Sequence, residues 1–432
     1  MNILIPIEIS SRELYYKVYL SKKLSELGFN CFLGRKAYID FLINELRNFI
    51  YLDKGYHKKN SDDLYKRIKK NKGLIISLDE EGVLDFRKSE VLKGRYSDEL
   101  FKIADLIFFW GEKQKKTFCR SHDQKKKSIV SGHPRFQMLK PDYQNLYYKE
   151  VLKIKNKHKS FILVNTNMGV GNNIKGDDFV RQNYKDRINK IDDLILNDKL
   201  KLKSYIDMIS ELSKVIDNKI ILRPHPEEDL ATYLKSFVKL KNVDVIYDGS
   251  VIPWILASDI MIHPDCSTAI ESLFIGKKPL SYLPINHNKD FMIDIPLMAS
   301  RCFDQKEDII NFIVNKKKNQ SFDHELEQYF SFKKDSTKII TKNILKVAKK
   351  NNLHLFNNNL TIRQRIILKA KSIKMKLMSF VSNNELMDNK LKGFKKENIL
   401  KIVNDLKKSE IKYNSSNIKS INTQLFLFKK MK

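Results

Sequence analysis

The sequence predicts an α/β protein with two Rossmann-type, parallel-sheet domains and a basic C-terminal extension. Three observations lead there. Short apolar, β-type runs alternate with stretches of helical length through most of the chain. The alternation pauses once, in a polar, lysine- and tyrosine-rich stretch at 140–158, and then resumes. Motifs rich in carboxylate, histidine and hydroxyl groups stand directly after apolar runs, where open α/β sheets bind ligands.

In chain order, residues 2–7 read as a buried strand, 12–27 as a helix closed by Gly28, and 31–33 as a second strand. A third strand at 74–78 runs straight into Asp79-Glu80-Glu81-Gly82; two more lie at 106–110 and 128–130. After the polar stretch, a strand at 161–165 ends in Asn165-Thr166-Asn167 and a loop with Gly169, Gly171 and Gly176. A helix over 201–216 leads to a strand at 219–222, which ends in Arg223-Pro224-His225-Pro226. Short strands follow at 243–246, 260–262 and 280–283, with a helix over 268–275 that opens on Ser267-Thr268. The expected domains are 1–145 and 159–345, followed by a helical tail over 346–432. In that tail, 361–382 reads as a basic helix with Ile366, Ala370, Ile373, Leu377 and Phe380 in one stripe. Leu368 and Met375 interrupt its opposite side.

Composition narrows the function classes. A chain of 432 residues is too long for one typical core. No run approaches the ~18 apolar residues of a membrane span, and no secretory signal is evident at the N-terminus. Cys31, Cys119, Cys266 and Cys302 lie far apart without a C-x-x-C, which argues for a reducing compartment and against a structural zinc site. The expected location is therefore cytoplasmic. The formal charge is +30 and uneven: residues 351–432 hold 18 Lys+Arg against 5 Asp+Glu, a net of +13. Such a balance suits nucleic acid, an anionic membrane surface or an anionic substrate. No aromatic-interleaved RNA-binding motif is present, so nucleic acid is the weakest of these.

The motifs carry the chemistry. Three adjacent carboxylates repel one another, so burial would raise at least one toward the range of a useful base. The same run also reads as a solvated acidic loop. Pro224 and Pro226 bracket His225 and fix the backbone around it. Arg223 either adds positive charge for a ligand or caps its strand. Ser267 and Thr268 open a helix, where free N–H groups and the dipole suit phosphate; the plainer reading is an ordinary N-cap. There is no D-x-D, no P-loop and no H-E-x-x-H, so neither a metal nor a cofactor is expected.

The order of these motifs resembles bacterial sialyltransferases and related enzymes that use CMP-activated sugars on a GT-B fold. Ile5-Pro6-Ile7-Glu8, Arg12-Glu13-Leu14, Gly28, Gly34, Phe109-Trp110-Gly111 and Gly132-His133-Pro134-Arg135 look like bacterial surface carbohydrate biosynthesis proteins. The resemblance covers roughly residues 1–345. It implies two Rossmann domains facing a central cleft. By the family's acidic-acidic-Gly triplet it makes Glu80 the general base, with Glu81 as neighbour; Asp79 leaves the register open. It implies that His225 contacts the CMP phosphate and serves as acid, and that Ser267 and Thr268 hold that phosphate. His263…Ser267…Glu271…Gly276…Pro279 resembles the donor-binding region of GT-B transferases, in which Glu271 would hold the ribose. Arg223, Pro226, His263, Asn165, Thr166 and Asn167 complete the donor side, and Gly132-His133-Pro134-Arg135 closes the first domain.

The implied activity is metal-independent, inverting transfer of an acidic sugar, a sialic-acid-like nonulosonate or Kdo, from CMP to a glycan or lipid-linked acceptor of surface polysaccharide. The charge of the tail and its basic helix over 361–382 suit the inner face of the cytoplasmic membrane; the alternative is that the apolar stripe packs back on the N-terminal domain. Two alternatives stand beside the implied activity. One keeps the fold and uses a UDP- or GDP-sugar or a CDP-glycerol-type donor. The other is a basic, non-enzymatic scaffold or nucleic-acid-binding protein.

Overall fold

The structure, a computed structural model, describes residues 1–82, 91–185, 188, 190–284, 286–315, 326–353, 359–381, 390–409 and 416–430. Its strands are β1 (Asn2–Ile7), β2 (Asn30–Arg35), β3 (Phe49–Asp53), β4 (Leu74–Leu78), β5 (Leu106–Phe109), β6 (Ser128–Val130), β7 (Phe161–Asn165), β8 (Lys219–Arg223), β9 (Val243–Val245), β10 (Ile260–His263), β11 (Leu280–Tyr282), β12 (Arg301–Phe303), β13 (Ser416–Asn422) and β14 (Leu425–Lys430). They form two sheets, ordered β13-β14-β2-β1-β3-β4-β5-β6 and β12-β11-β10-β7-β8-β9. Contacts divide the chain into two units. The first comprises Met1–Val83, Leu92–Leu146 and Glu327–Lys432; the second is built on Tyr147–Leu326.

In the first unit β1 to β6 pair in parallel. Helices cover both faces of such a sheet, so its strands can be apolar throughout. Every residue of β1, β3 and β4 is accordingly buried. In the second unit β7 to β12 likewise pair in parallel, and β7 at the centre of the sheet is buried throughout. β3 and β12 are strands that the sequence pattern does not single out.

Three expectations change. The polar stretch at 140–158 is not a bare linker: Tyr148–His158 is a helix. Its Ile154 joins the cluster around Trp254, and the ring of His158 lies 5.5 Å from that of Trp254. The second domain does not run to 345, because the chain returns to the first unit at Glu327. There Gln137 accepts from Thr337 N (2.9 Å) and donates to Asp335 (3.0 Å), which anchors the helix Ser336–Lys350. Nor is 346–432 a separate helical tail. β14 pairs antiparallel with β2, and Leu360, Leu368, Leu425 and Leu427 enter the first unit's core. Leu425 explains Gly34 opposite it: a Cβ at Gly34 would stand 2.5 Å from the Leu425 side chain.

The predicted basic helix exists as Ile362–Val381, but its roles are reversed. Leu368 is fully buried and Met375 packs on the core, whereas Ile366, Ile373 and Leu377 are exposed. Phe380 lies outside the described side chains.

Candidate functional site

Each unit places its motifs at the carboxyl ends of its strands, as expected for open α/β sheets. In the first unit the site is the turn after β4. Gly82 has φ +54°, and a Cβ there would stand 2.3 Å from the Trp110 ring, so only glycine fits. Trp110 Nε1 donates to Asp79 O (2.8 Å), and Gln114 Nε2 donates to Gly82 O (2.7 Å). The Phe109-Trp110-Gly111 segment is thus the clamp of the acidic turn.

The three carboxylates have three different surroundings. Asp79 accepts from the backbone N–H of Glu81 (2.7 Å) and Gly82 (3.0 Å), and bidentately from Arg95 (2.6 and 2.8 Å). It shapes the turn, and nothing of it is left for a substrate. Glu80 is only 2% exposed and receives Tyr16 OH, with Lys17 Nζ at 3.4 Å. Burial alone would raise its pKa, but Lys17, Arg12 and Arg135 outweigh burial and hold the carboxyl well below the usual range. His133 Nε2 lies 3.8 Å from Glu80 Oε2, and burial pushes that imidazole down to about 3, so it is neutral. Neither atom has a hydrogen-bond partner among the described residues. The side chain of Glu81 is 43% exposed and accepts from Arg12 Nη1 at 3.0 Å. Its partial burial opposes ionisation, but Arg12 outweighs this and lowers its pKa.

The N-terminal motif serves the same turn. Lys17 donates to Pro6 O (2.9 Å) and Glu13 (2.7 Å), and Glu13 accepts from Glu8 N and Ile9 N at 3.2 and 3.1 Å. Ile5-Pro6-Ile7-Glu8 and Arg12-Glu13 therefore build the charged wall around Glu80. His133 belongs to that wall as well, wedged against Tyr16 and Trp110 at 5.1 Å between ring centres. Its reading as a domain-closing feature alone misses this.

In the second unit His225 is exposed on the loop after β8. Its Nδ1 accepts from Glu227 N (3.3 Å), which keeps the proton of a neutral ring on Nε2. Pro226 is exposed beside it. Ser267 precedes the helix Thr268–Ile275 without capping it through its side chain, so the plain N-cap role is not filled. Thr268 stands at the first turn, and Glu271 is buried within the same helix. Asn165 ends β7 with both amide atoms buried and unpartnered among the described residues. Asn167 Nδ2 donates to Asp265 (2.9 Å), and Thr166 Oγ1 donates to Glu228 (2.9 Å).

Two expected donor residues are structural instead. Arg223 donates to the carbonyls of Asp248 (2.8 Å) and Gly249 (3.0 Å) and stacks over Trp254, 5.1 Å from its ring. It caps its strand and holds the neighbouring loop. His263 is fully buried; Nδ1 accepts from Cys266 N (3.2 Å) and Nε2 pairs with Ser300 Oγ (2.7 Å). With both nitrogens engaged it shapes the turn that delivers Ser267.

Sequence reading misses Glu228, Lys201, Asp265 and His287. Lys201 bridges Asp198 (3.0 Å) and Asp265 (3.7 Å) in a buried cluster. Burial brings His287 down to about 4, and neither of its nitrogens has a partner among the described residues. His287 also lines a cavity of about 360 Å³ beyond β11 and β12, with Ser281, Leu283, Met292 and Phe303. Glu228 gathers Thr166 Oγ1, Tyr233 OH, Met168 N (3.0 Å) and His225 N (3.1 Å), joining the loops after β7 and β8. Two adjacent acids after a His-Pro pair are its signal in the sequence, but periodicity does not separate a buried Glu228 from an exposed neighbour.

Burial pushes the Glu228 carboxyl up to about 7 from its ordinary 4.5. The native protein therefore holds a proton between those values that the unfolded chain releases. Its contribution to stability is greatest below about 4.5 and is lost as pH rises through about 7, a loss of roughly 3 kcal/mol. Glu228→Gln should remove this slope and melt higher than wild type at pH 8, measured by thermal unfolding across pH. Parallel curves for the two proteins would show that Glu228 is ionised throughout.

No protein-family model matches the sequence, and no curated protein matches it. The fold does have solved counterparts, and they are two-domain proteins of the GT-B class. The UDP-GlcNAc 2-epimerase of Methanocaldococcus jannaschii, in complex with UDP-GlcNAc and UDP, aligns over 80% of this chain and 99% of its own, with TM-score 0.50 and 14% identity. The wall teichoic acid polymerase TagF, as the H444N variant with CDPG, aligns over 83% and 90%, with TM-score 0.51 and 12% identity. The UDP-GlcNAc 2-epimerase from Neisseria meningitidis bound to UDP-GlcNAc aligns over 80% and 100%, with TM-score 0.50 and 13% identity. At such identities the likeness establishes the fold: two Rossmann-like parallel-sheet domains.

Proposed function

We propose that this chain is a GT-B transferase that moves an acidic sugar, a sialic-acid-like nonulosonate or Kdo, from a CMP-activated donor to a glycan acceptor of a surface polysaccharide. The observation that carries the reading is the division of chemistry between the two units. The first offers a half-exposed carboxylate, Glu81, on a clamped strand-end turn; the second offers an exposed histidine, His225, and at a helix start a hydroxyl that does not cap the helix, Ser267.

In this mechanism Glu81 removes the proton of the acceptor hydroxyl as it attacks the anomeric carbon with inversion. Glu80, the base that the resemblance implies, is buried against Lys17, and in this mechanism it positions the turn. His225 Nε2 donates to the leaving CMP phosphate, and the hydroxyls of Ser267 and Thr268 share its charge. Glu271 and Asn165 reach the nucleoside. A single bridging phosphate needs little charge compensation, and the chain has no D-x-D to bind a metal-bound diphosphate. A second reading keeps these roles and takes a CDP-glycerol-type or UDP-sugar donor. It is favoured by the shared fold of the polymerase soaked with CDPG and of the epimerases.

Nucleotide-dependent melting separates the two. CMP or CDP should raise the melting temperature without added metal, more than UDP or GDP does. A ligand at a hundred times its Kd adds ~2.7 kcal/mol of stability. Equal stabilisation by UDP, or strict dependence on Mn²⁺, overturns the CMP reading. No response to any nucleotide overturns the transferase reading.

A further inference from the structure

The helix Ile362–Val381 has an orientation that its sequence leaves open. Its inner side is pinned to the first unit. Leu368 is fully buried, Met375 packs on the core, and Lys371 Nζ lies 5.9 Å from the centre of the Phe41 ring. Gln364 reaches Glu45, and Ser372 meets Thr423 (3.2 Å). What faces outward is therefore set by the fold.

The outward face is apolar. Ile362, Ile366, Ile373 and Leu377 are 79%, 61%, 62% and 61% exposed. At 3.6 residues per turn their spacing confines them to an arc of about 60°, over about 22 Å of helix. Exposed cations border that arc on both sides, Arg365 and Lys369 on one and Arg363 and Lys374 on the other. The segment 362–381 contains no aspartate or glutamate. Four large aliphatic side chains left in water on one stripe mark an interaction surface.

We propose that this stripe seats the protein on an anionic lipid bilayer, lying in the plane of the interface. An apolar ridge between two rows of cations matches such a surface twice. The ridge enters the boundary between headgroups and acyl chains, and the cations remain at the level of the anionic headgroups. The net charge of +13 over residues 351–432 adds to the attraction. A second copy of the chain is a poorer occupant, because pairing two such stripes brings at least eight cations together with no acid on either helix. The helix is an interfacial element, since no helix among the described residues is long and apolar enough to cross a membrane. The inference stands independently of the donor and the reaction.

Vesicle flotation with the full chain tests it. The protein should float with phosphatidylcholine–phosphatidylglycerol vesicles, stay behind with phosphatidylcholine alone, and detach as salt rises. Ile366→Glu with Ile373→Glu should cut binding at least tenfold at an unchanged melting temperature, because both side chains already face water. Lys369→Glu with Lys374→Glu should cut it similarly. Absence of wild-type flotation with anionic vesicles at low salt overturns the proposal. So does loss of binding in the charge variant alone, which would mean diffuse adsorption of a basic protein. A concentration-dependent dimer in gel filtration, abolished by the isoleucine substitutions without effect on flotation, would assign the stripe to a second copy instead.

Discussion

Glu81→Gln is expected to lower turnover by ~10²–10⁴-fold while leaving nucleotide binding and melting temperature near wild type. The amide keeps the shape of the side chain and its contact with Arg12, but it cannot accept a proton. Because the Glu81 side chain is 43% exposed, the change should stay within about 0.5 kcal/mol in stability. Glu80→Gln is the control. It removes the anion beside Lys17 Nζ and Tyr16 OH in a buried wall, so its first effect is a lower melting temperature. Turnover would be measured with whichever nucleotide donor stabilises the protein, at a temperature where both variants are folded. If the folded Glu80→Gln protein loses turnover and Glu81→Gln keeps it, the base is Glu80. If neither matters, the acidic turn is scaffold.

Arg95→Ala should destabilise the first unit by ~3–5 kcal/mol, since it strands the buried carboxylate of Asp79 without its counter-charge. The pair is bidentate, at 2.6 and 2.8 Å, and both side chains are buried. Arg95 also meets His57 Nε2 (3.0 Å), so its loss opens the floor under the turn. At ~2–4 °C per kcal/mol the fall in melting temperature is of order 10 °C. Arg95→Lys should recover only part of it, because an ammonium cannot reproduce the planar fork. A loss below 1 kcal/mol would show that the pair behaves like a surface ion pair, and the clamp would then rest on Trp110 and Gln114 alone.

Both predictions depend on distinctions within motifs that read as uniform in the sequence. The placement of Asp79-Glu80-Glu81-Gly82 after β4, of Arg223-Pro224-His225-Pro226 after β8 and of Ser267-Thr268 after β10 is legible, because a buried parallel strand leaves a continuous apolar run. The division of labour is not. Asp79, Glu80 and Glu81 are told apart by burial and by which of Arg95, Lys17 and Arg12 reaches them, and those partners come from other elements. Arg223 and His263 look like ligand contacts because their residue types suit phosphate; the carbonyls of Asp248 and Gly249 and the hydroxyl of Ser300 occupy them instead. Glu228 is hidden for the converse reason. Its four donors come from two loops and a tyrosine that meet only in the folded unit.

The amino-acid sequence by itself determined the parallel core of both sheets, the strand-end location of the motifs and the glycine at Gly82, since each follows from local pattern or local backbone geometry. Tertiary structure decided what requires a distant partner. β14 reads as a short apolar run in a basic, asparagine-rich stretch until it pairs with β2, almost four hundred residues earlier. The helix Ile362–Val381 could bury either of its two apolar faces; the core chose Leu368 and Met375 and left the isoleucines in water. Periodicity sets which residues share a face, but only the surface that the helix meets sets which face is covered.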